Sequence, residues 1–351
     1  MGAVARSEPA RPVMRLGFLT WCLIGSLAIA GARIPTIDEV AALTDRPREN
    51  LLAAIRNSHD GEITLRMLET AAAVRADERR DAGTPPLSRG CLRPEEFELG
   101  VQLALARAAF DGAAYRALSW EFHRLAAALD KALAQAQASG NWRRRFAHLE
   151  RWIRDWEAAR DPDARELFRR TLIDQAIRAS LSSYEGARLY GHARPTPALR
   201  AYDEYLFNLM CTADEENLRW LKTRVSDAGW FDAGRYGKAA DQAAWLLVQH
   251  ADADPEYQAS IADLLKPKLE TRDTDPQNFA FLVDRVAIHA GRPQVYATQM
   301  ECVGGQSLAP RIAEPEKLDA RRAQMGLEPY PAQLEQRKNL CRRAETRATR
   351  Q

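Results

Sequence analysis

Ala244–Gln258, AWLLVQHADADPEYQ, reads either as the rim of a site or as one helix ending and the next beginning. An apolar run with helical spacing ends on His250, and three acidic residues and a proline follow within six positions. In a helix across 238–250, Ala240, Ala243, Ala244, Leu247 and Val248 fall on one stripe, which is the pattern of a helix packed on a core. His250 then lies at the edge of that stripe in the last turn, where a cationic imidazole favours the helix's negative end. Asp254 before Pro255 reads as an N-cap and first helical residue. The stretch is therefore a helix–turn–helix junction, and only His250, Asp252 and Gln258 are left unexplained by it.

Working outward, the same grammar recurs. Asp275-Pro276 caps a helix over 277–289 whose inner face is Phe279, Leu282, Val283 and Val286, and Asp161-Pro162 opens one that runs to about Ser182. A helix follows from about Ala198. Thr212 with Glu215 has capping-box form and predicts a separate helix ending near Asp227. Upstream, WRRRFAHLERWIRDWEAAR puts Phe146, Leu149, Trp152, Ile153 and Trp156 on one helical face, and its tryptophans read as core anchors. An alanine- and leucine-rich run over 94–138, broken at Asp111-Gly112, suggests a helical hairpin. Three further helices are expected near 36–43, 48–57 and 64–79, the first opened by the capping box Thr36–Glu39, with loops over Asp81–Pro94 and Tyr184–Pro197. Pro293–Cys302 alternates enough to be a minor strand. The expected class is all-α: helical hairpins in an N-terminal region, packed on or linked to a C-terminal multi-helix domain, with at most a minor strand near 293–301.

The first residues read as an export signal. Arg6, Arg11 and Arg15 precede the apolar run Leu16–Ala30, and Ala30-Gly31-Ala32 is a small-residue cleavage site. That run is short for a spanning helix, which needs about 20 residues; cleavage after Ala32 is expected, with an uncleaved N-terminal anchor as the alternative. Met14 offers a second start. The 351-residue chain has a formal net charge of +2, and residues 1–32 hold three arginines and one glutamate, so the mature chain is neutral. Neutrality argues against binding nucleic acid through phosphates. Cys91, Cys211, Cys302 and Cys341 remain after cleavage, an even number that in an exported chain suggests two disulfides, Cys91–Cys211 and Cys302–Cys341, beside the alternative of buried thiols. No Cys/His spacing supports zinc, and no phosphate loop, dinucleotide fingerprint or hydrolase motif is present, so neither metal nor cofactor is expected.

A set of motifs in the second half carries a resemblance. LIDQAIR (Leu172–Arg178) is followed by Asn217, DAGW (Asp227–Trp230) and GKAADQAAWLLVQHADADPEYQ (Gly237–Gln258). Then come FLVDRVAIHAGRPQVYATQ (Phe281–Gln299), Pro310 and LDARRAQMGLEPY (Leu318–Tyr330). Together they resemble the bacterial family catalogued as domain of unknown function 6624, over about 165–330. Ala297 stands where that family usually has glycine. The resemblance implies a domain and carries no activity. The organisation read is signal peptide 1–32, helical region 33–164, family-like domain 165–333 and basic tail 334–351.

The polar residues of these motifs are the candidate site: His250, Asp252, Gln258, Asp284, Arg285, Gln294, Tyr296 and Gln299, with Asp174 and Gln175 on the first helix of the set. His250 is a structural, ligand-contacting, acid–base or, least favoured, metal-ligating histidine. Asp284 and Arg285 are an exposed pair or hold the following loop. Gln294, Tyr296 and Gln299 suit recognition of amides or hydroxyls, or satisfy buried backbone. The expected function is an exported, periplasmic or secreted, cell-envelope binding protein with a polar pocket, its partner a small polar ligand or an envelope protein. The alternative is a hydrolase of an envelope polymer or peptide with His250 or Asp284 as general acid–base.

Overall fold

A computed structural model describes residues 112–181, 196–303 and 306–337, with Cys91, Phe97, Val101, Ala104, Leu105 and Ala108 placed individually before them. The signal segment, the helices expected near 36–43, 48–57 and 64–79, the loop over 184–195 and residues 338–351 of the tail lie outside the described residues. The expected break at Asp111-Gly112 falls at their edge. The described residues are mostly helical: α1 Gly112–Ser139, α2 Arg143–Phe146, α3 Glu150–Ala158, α4 Pro162–Ala179, α5 Pro197–Ala228, α6 Ala233–Tyr236, α7 Lys238–Gln249, α8 Pro255–Leu265, α9 Lys268–Thr271, α10 Pro276–His289 and α11 Leu318–Gln324. The strands β1 Glu301–Val303 and β2 Gln306–Leu308 form one antiparallel hairpin.

Helix starts follow one local rule. Asp161 accepts from the amides of Asp163 and Ala164, Thr196 from Leu199, Asp254 from Tyr257 and Asp275 from Gln277, and each cap is followed by a proline whose missing N–H costs nothing there. Helix α5 ends on Gly229 at φ 77°, a left-handed position that glycine enters freely.

Two expectations are corrected. Thr212 does not open a helix: α5 runs unbroken for 32 residues, about 48 Å at about 1.5 Å per residue, because the Thr212 hydroxyl donates to the Asn208 carbonyl within the helix instead of capping one. The strand expected over 293–302 begins only at Glu301, and Gln294 makes an isolated bridge to Ile312. A third reading is refined. Phe146, Leu149, Trp152 and Ile153 are buried as expected, but α2, a 3-10 turn over Ala147–Leu149 and α3 deliver them, with Phe146 leaving helical geometry at φ −125°, ψ 41°.

The core joins these pieces. Helix α4 packs on α3, α5 and α7, and α7 and α8 pack on α10. Ile153, Leu167, Leu172, Leu206, Leu221, Leu247, Leu265 and Leu282 have almost no exposure, and burying each such side chain contributes about 1.5–3 kcal/mol. Cys91 is disulfide-bonded to Cys211 on α5, Cα atoms 5.4 Å apart, and its amide donates to Glu215. Cys341, the partner expected for Cys302, lies outside the described residues. Among the described residues no helix is long and apolar enough to cross a membrane.

Candidate functional site

The sequence-selected residues separate into three groups. Asp284, Gln294 and Tyr296 build a loop. Asp284 is fully buried; one carboxylate oxygen accepts from the amides of Val295 (2.7 Å) and Tyr296 (3.0 Å), the other from the Thr298 amide (2.8 Å) and hydroxyl (2.9 Å). Burial pushes its carboxyl up, and these donors pull it partly back. Gln294 is equally buried: its amide donates to the carbonyls of Gln299 and Pro310 while its oxygen accepts from the Gln299 amide. Tyr296 gives its carbonyl to the buried Arg322. Of the two readings the sequence left open for Asp284 and Gln294, the geometry shows the loop-holding one. Ala297, in the glycine's place, sits at φ 55° inside this loop with no exposure.

The second group surrounds His250 at the C-terminal end of α7. Its Nδ1 lies 3.0 Å from Asp174 Oδ1, a carboxylate buried on α4. Arg178, one turn on, donates from Nε to the same oxygen at 2.8 Å and from Nη2 to both oxygens of Asp214 on α5 at 2.6 and 2.8 Å. Gln175 donates to the other Asp174 oxygen. Burial alone raises the Asp174 carboxyl, but the His250 hydrogen bond and the charges of His250 and Arg178 prevail and hold it below the usual range. Asp214, with burial less fully compensated and Asp174 adding repulsion, is pushed up to about 6. The hydrogen bond to Asp174 fixes the orientation of the His250 ring, whose side chain keeps 18% of its surface exposed. Sequence reading missed Arg178, although its spacing of four from Asp174 is the signal of a helix pair. Asp214 carries no sequence signal, because only packing of α5 on α4 brings it there.

The third group lies beside the second, across the turn after α7. Arg285 of α10 donates from Nε to Asp252 at 2.7 Å, makes a second contact from Nη2 to the same carboxylate, and reaches Gln299 from Nη1 at 3.2 Å. The Asp252 carboxyl, which burial would raise, is held low by Arg285. Gln258, fully buried on α8, donates to the Val248 carbonyl at 3.0 Å and to Asp252 at 3.2 Å. His289 Nε2 lies 3.7 Å from Asp252.

Asp174, Asp214 and His250 place one donor atom each within 4.8 Å of one another, the spread of a metal site. The Arg178 guanidinium, however, already bridges the two carboxylates, and the positive charge a cation would bring is supplied by the side chain. A cavity of about 430 Å³ lies elsewhere, at the α1–α2 turn, lined by Gln135, Ser139, Asn141, Arg144 and Arg145. A buried network missed in the sequence, Asp241 accepting from Trp230 Nε1, the Thr274 hydroxyl and the Asp275 amide, ties α7 to the start of α10 and is structural.

These observations define a helical domain whose polar motif residues converge on one junction, where α7 ends, α8 begins and the loop after α10 returns. The chain belongs to the family of unknown function DUF6624, whose model matches residues 162–339. No curated protein and no solved structure matches it.

Proposed function

We propose that the protein is an exported cell-envelope binding protein that holds a small polar ligand at the α7–α8 junction. The observation that carries this reading is His250: a buried carboxylate fixes one edge of its imidazole, and the ring remains partly exposed beside the Asp252–Arg285 pair. An oriented imidazole with part of its ring exposed suits ligand contact more than core packing. Location in the envelope is supported by the basic, apolar and small-residue segments of residues 1–32 and by the Cys91–Cys211 disulfide, a bond favoured in oxidising compartments.

A hydrolase is the second reading, favoured by one feature: an Asp174–His250 pair has the geometry by which a carboxylate orients a general base. Asp284 no longer serves that reading, since each of its oxygens accepts two internal hydrogen bonds. A thermal-shift screen separates the possibilities. The protein from Arg33 onward and its His250→Ala variant are melted with cell-wall fragments, sugars, short peptides and divalent metals. A shift in the wild type, lost in a variant of normal stability, supports binding at His250. Turnover of the same compound, abolished in the variant, moves the assignment to the hydrolase. Loss of stability in the variant with no shift from any compound sinks both.

A further inference from the structure

The third polar group closes on itself through contacts that leave particular atoms without partners. On α7, Trp245 and Gln249 are one turn apart and share a face. The Trp245 ring meets Phe281 of α10 edge-on, with centroids 6.2 Å apart, and the Phe281 carbonyl accepts from Gln299. Gln299 accepts from Arg285, Arg285 pairs with Asp252, Asp252 accepts from Gln258, and Gln258 lies under the last carbonyls of α7, beside Gln249. Around this ring Trp245 Nε1, Gln249 Nε2 and Gln258 Oε1 are buried and have no hydrogen-bond partner among the described residues. Buried polar atoms find partners in more than about nine cases in ten, so three unpartnered ones on side chains joined by one chain of contacts point to a group the protein receives. The Tyr257 hydroxyl is also unpartnered, but its ring faces Lys222 of α5 and belongs to another contact.

The chemistry of the received group follows from which atoms are fixed. An indole N–H can only donate. The Gln258 amide is locked, because its Nε2 donates to two acceptors and the flipped orientation would set Oε1 against both; its Oε1 therefore only accepts. The ring thus offers a donor, an acceptor and the Gln249 amide. Its arginine is engaged, with Nε and Nη2 on Asp252 and Nη1 on Gln299, and its imidazole, His289, lies 3.7 Å from Asp252. A carboxylate or fully ionised phosphate brings no hydrogen for Gln258 Oε1. A secondary amide supplies an acceptor oxygen and a donor N–H on neighbouring atoms. We propose that the ligand of this junction carries a secondary amide, seated between Trp245, Gln249 and Gln258, as in an N-acetylated sugar or a peptide. The assignment rests on the binding reading above and names its ligand class.

Trp245 is its own reporter. In a ¹H–¹⁵N spectrum of the full chain the Trp245 indole signal is assigned by its loss in Trp245→Phe. Three probes are then added separately at about 10 mM, enough to fill much of a millimolar site: N,N′-diacetylchitobiose, the same disaccharide without its acetyl groups, and N-acetyl-alanine-methylamide. Movement of the indole signal with an acetylated probe, none with the deacetylated sugar, and at least about tenfold weaker binding in Gln249→Leu are expected. The sugar and dipeptide arms tell which source of the amide fits. Gln249→Leu removes an unpartnered polar group and should fold; Gln249→Met serves if it does not. Equal movement with the deacetylated sugar, no movement with any probe, or unaltered binding in both Gln249 variants overturns the amide assignment. If a compound without an amide still gives a His250-dependent thermal shift, the amide assignment alone falls and the binding reading stands.

Discussion

Removing the Asp284 side chain is the perturbation whose outcome the structure specifies most closely. Asp284→Ala strands four donors at once: the amides of Val295, Tyr296 and Thr298 and the Thr298 hydroxyl. Each stranded buried donor costs about 1–3 kcal/mol, and water entering beside the vacated carboxylate recovers part of that, so a net loss of about 3–5 kcal/mol is expected. For a domain of this size each kcal/mol moves the melting temperature by about 2–4 °C, giving a fall of roughly 6–20 °C. Asp284→Asn is the finer probe. Its carbonyl still accepts from Val295 and Tyr296, and the Thr298 hydroxyl can turn to accept from the new amide, so only the Thr298 N–H is opposed and about 2 kcal/mol is lost. Urea denaturation of the three proteins, followed by far-ultraviolet circular dichroism, measures both differences. An alanine variant within about 1 kcal/mol of wild type would refute the loop-holding role. A stably folded variant that had lost turnover would instead return Asp284 to the catalytic candidates.

Three further outcomes follow from other parts of the molecule. Asp214 has a folded pKa of about 6 against an ordinary 3.8, so the stability its protonated form provides is complete below 3.8 and is lost as pH rises through about 6. The difference is worth up to about 3 kcal/mol, and the change in urea midpoint between those two pH values should shrink in Asp214→Asn whatever that variant's baseline; an unaltered change excludes the shift. Ala297 at φ 55° predicts that Ala297→Gly stays within about 1 kcal/mol of wild type, since relief of about 1–2 kcal/mol of left-handed strain offsets a lost methyl and a freer unfolded chain, whereas Ala297→Val is strongly destabilised; the reverse order in thermal melts would contradict the backbone geometry. The Cys91–Cys211 bond spans 120 residues, so Cys91→Ser/Cys211→Ser should lose about 3–5 kcal/mol, read as the difference in urea midpoint with and without reductant in the wild type and its absence in the variant.

Membership in DUF6624 covers residues 162–339, which hold all three polar groups. The two groups nearest the α7–α8 turn differ in character. Around His250 two carboxylates, a guanidinium and an imidazole interact through charge. Around Trp245 the unpartnered atoms are neutral. A ligand that met both would present an amide to one side and a titratable or polar group to the other, a feature the thermal-shift panel can test by adding carboxylated and amidated forms of one peptide.

Features that depend on neighbours in the chain are legible before any folding is considered. Asp161, Thr196, Asp254 and Asp275 each stand before a proline, and the local pairing of cap oxygen with the next free amides sets where α4, α5, α8 and α10 begin. The stripe Ala240, Ala244, Leu247, Val248 likewise states which face of α7 is buried. The same local logic misled at Thr212, where a hydroxyl able to cap a helix bonds back to Asn208 instead, because nothing nearby breaks the backbone. Tertiary structure alone decided which polar side chains work for the fold and which are left over. Asp284 and Arg285 are adjacent in sequence, yet one points to the amides of 295–298 and the other to Asp252 and Gln299, since consecutive residues on a helix face different neighbours. Asp214 meets Arg178 across two helices, and Gln258 finds its partners one helix back. A side chain's character is written in the chain; its partner, and so its role, is set by the packing that brings distant helices together.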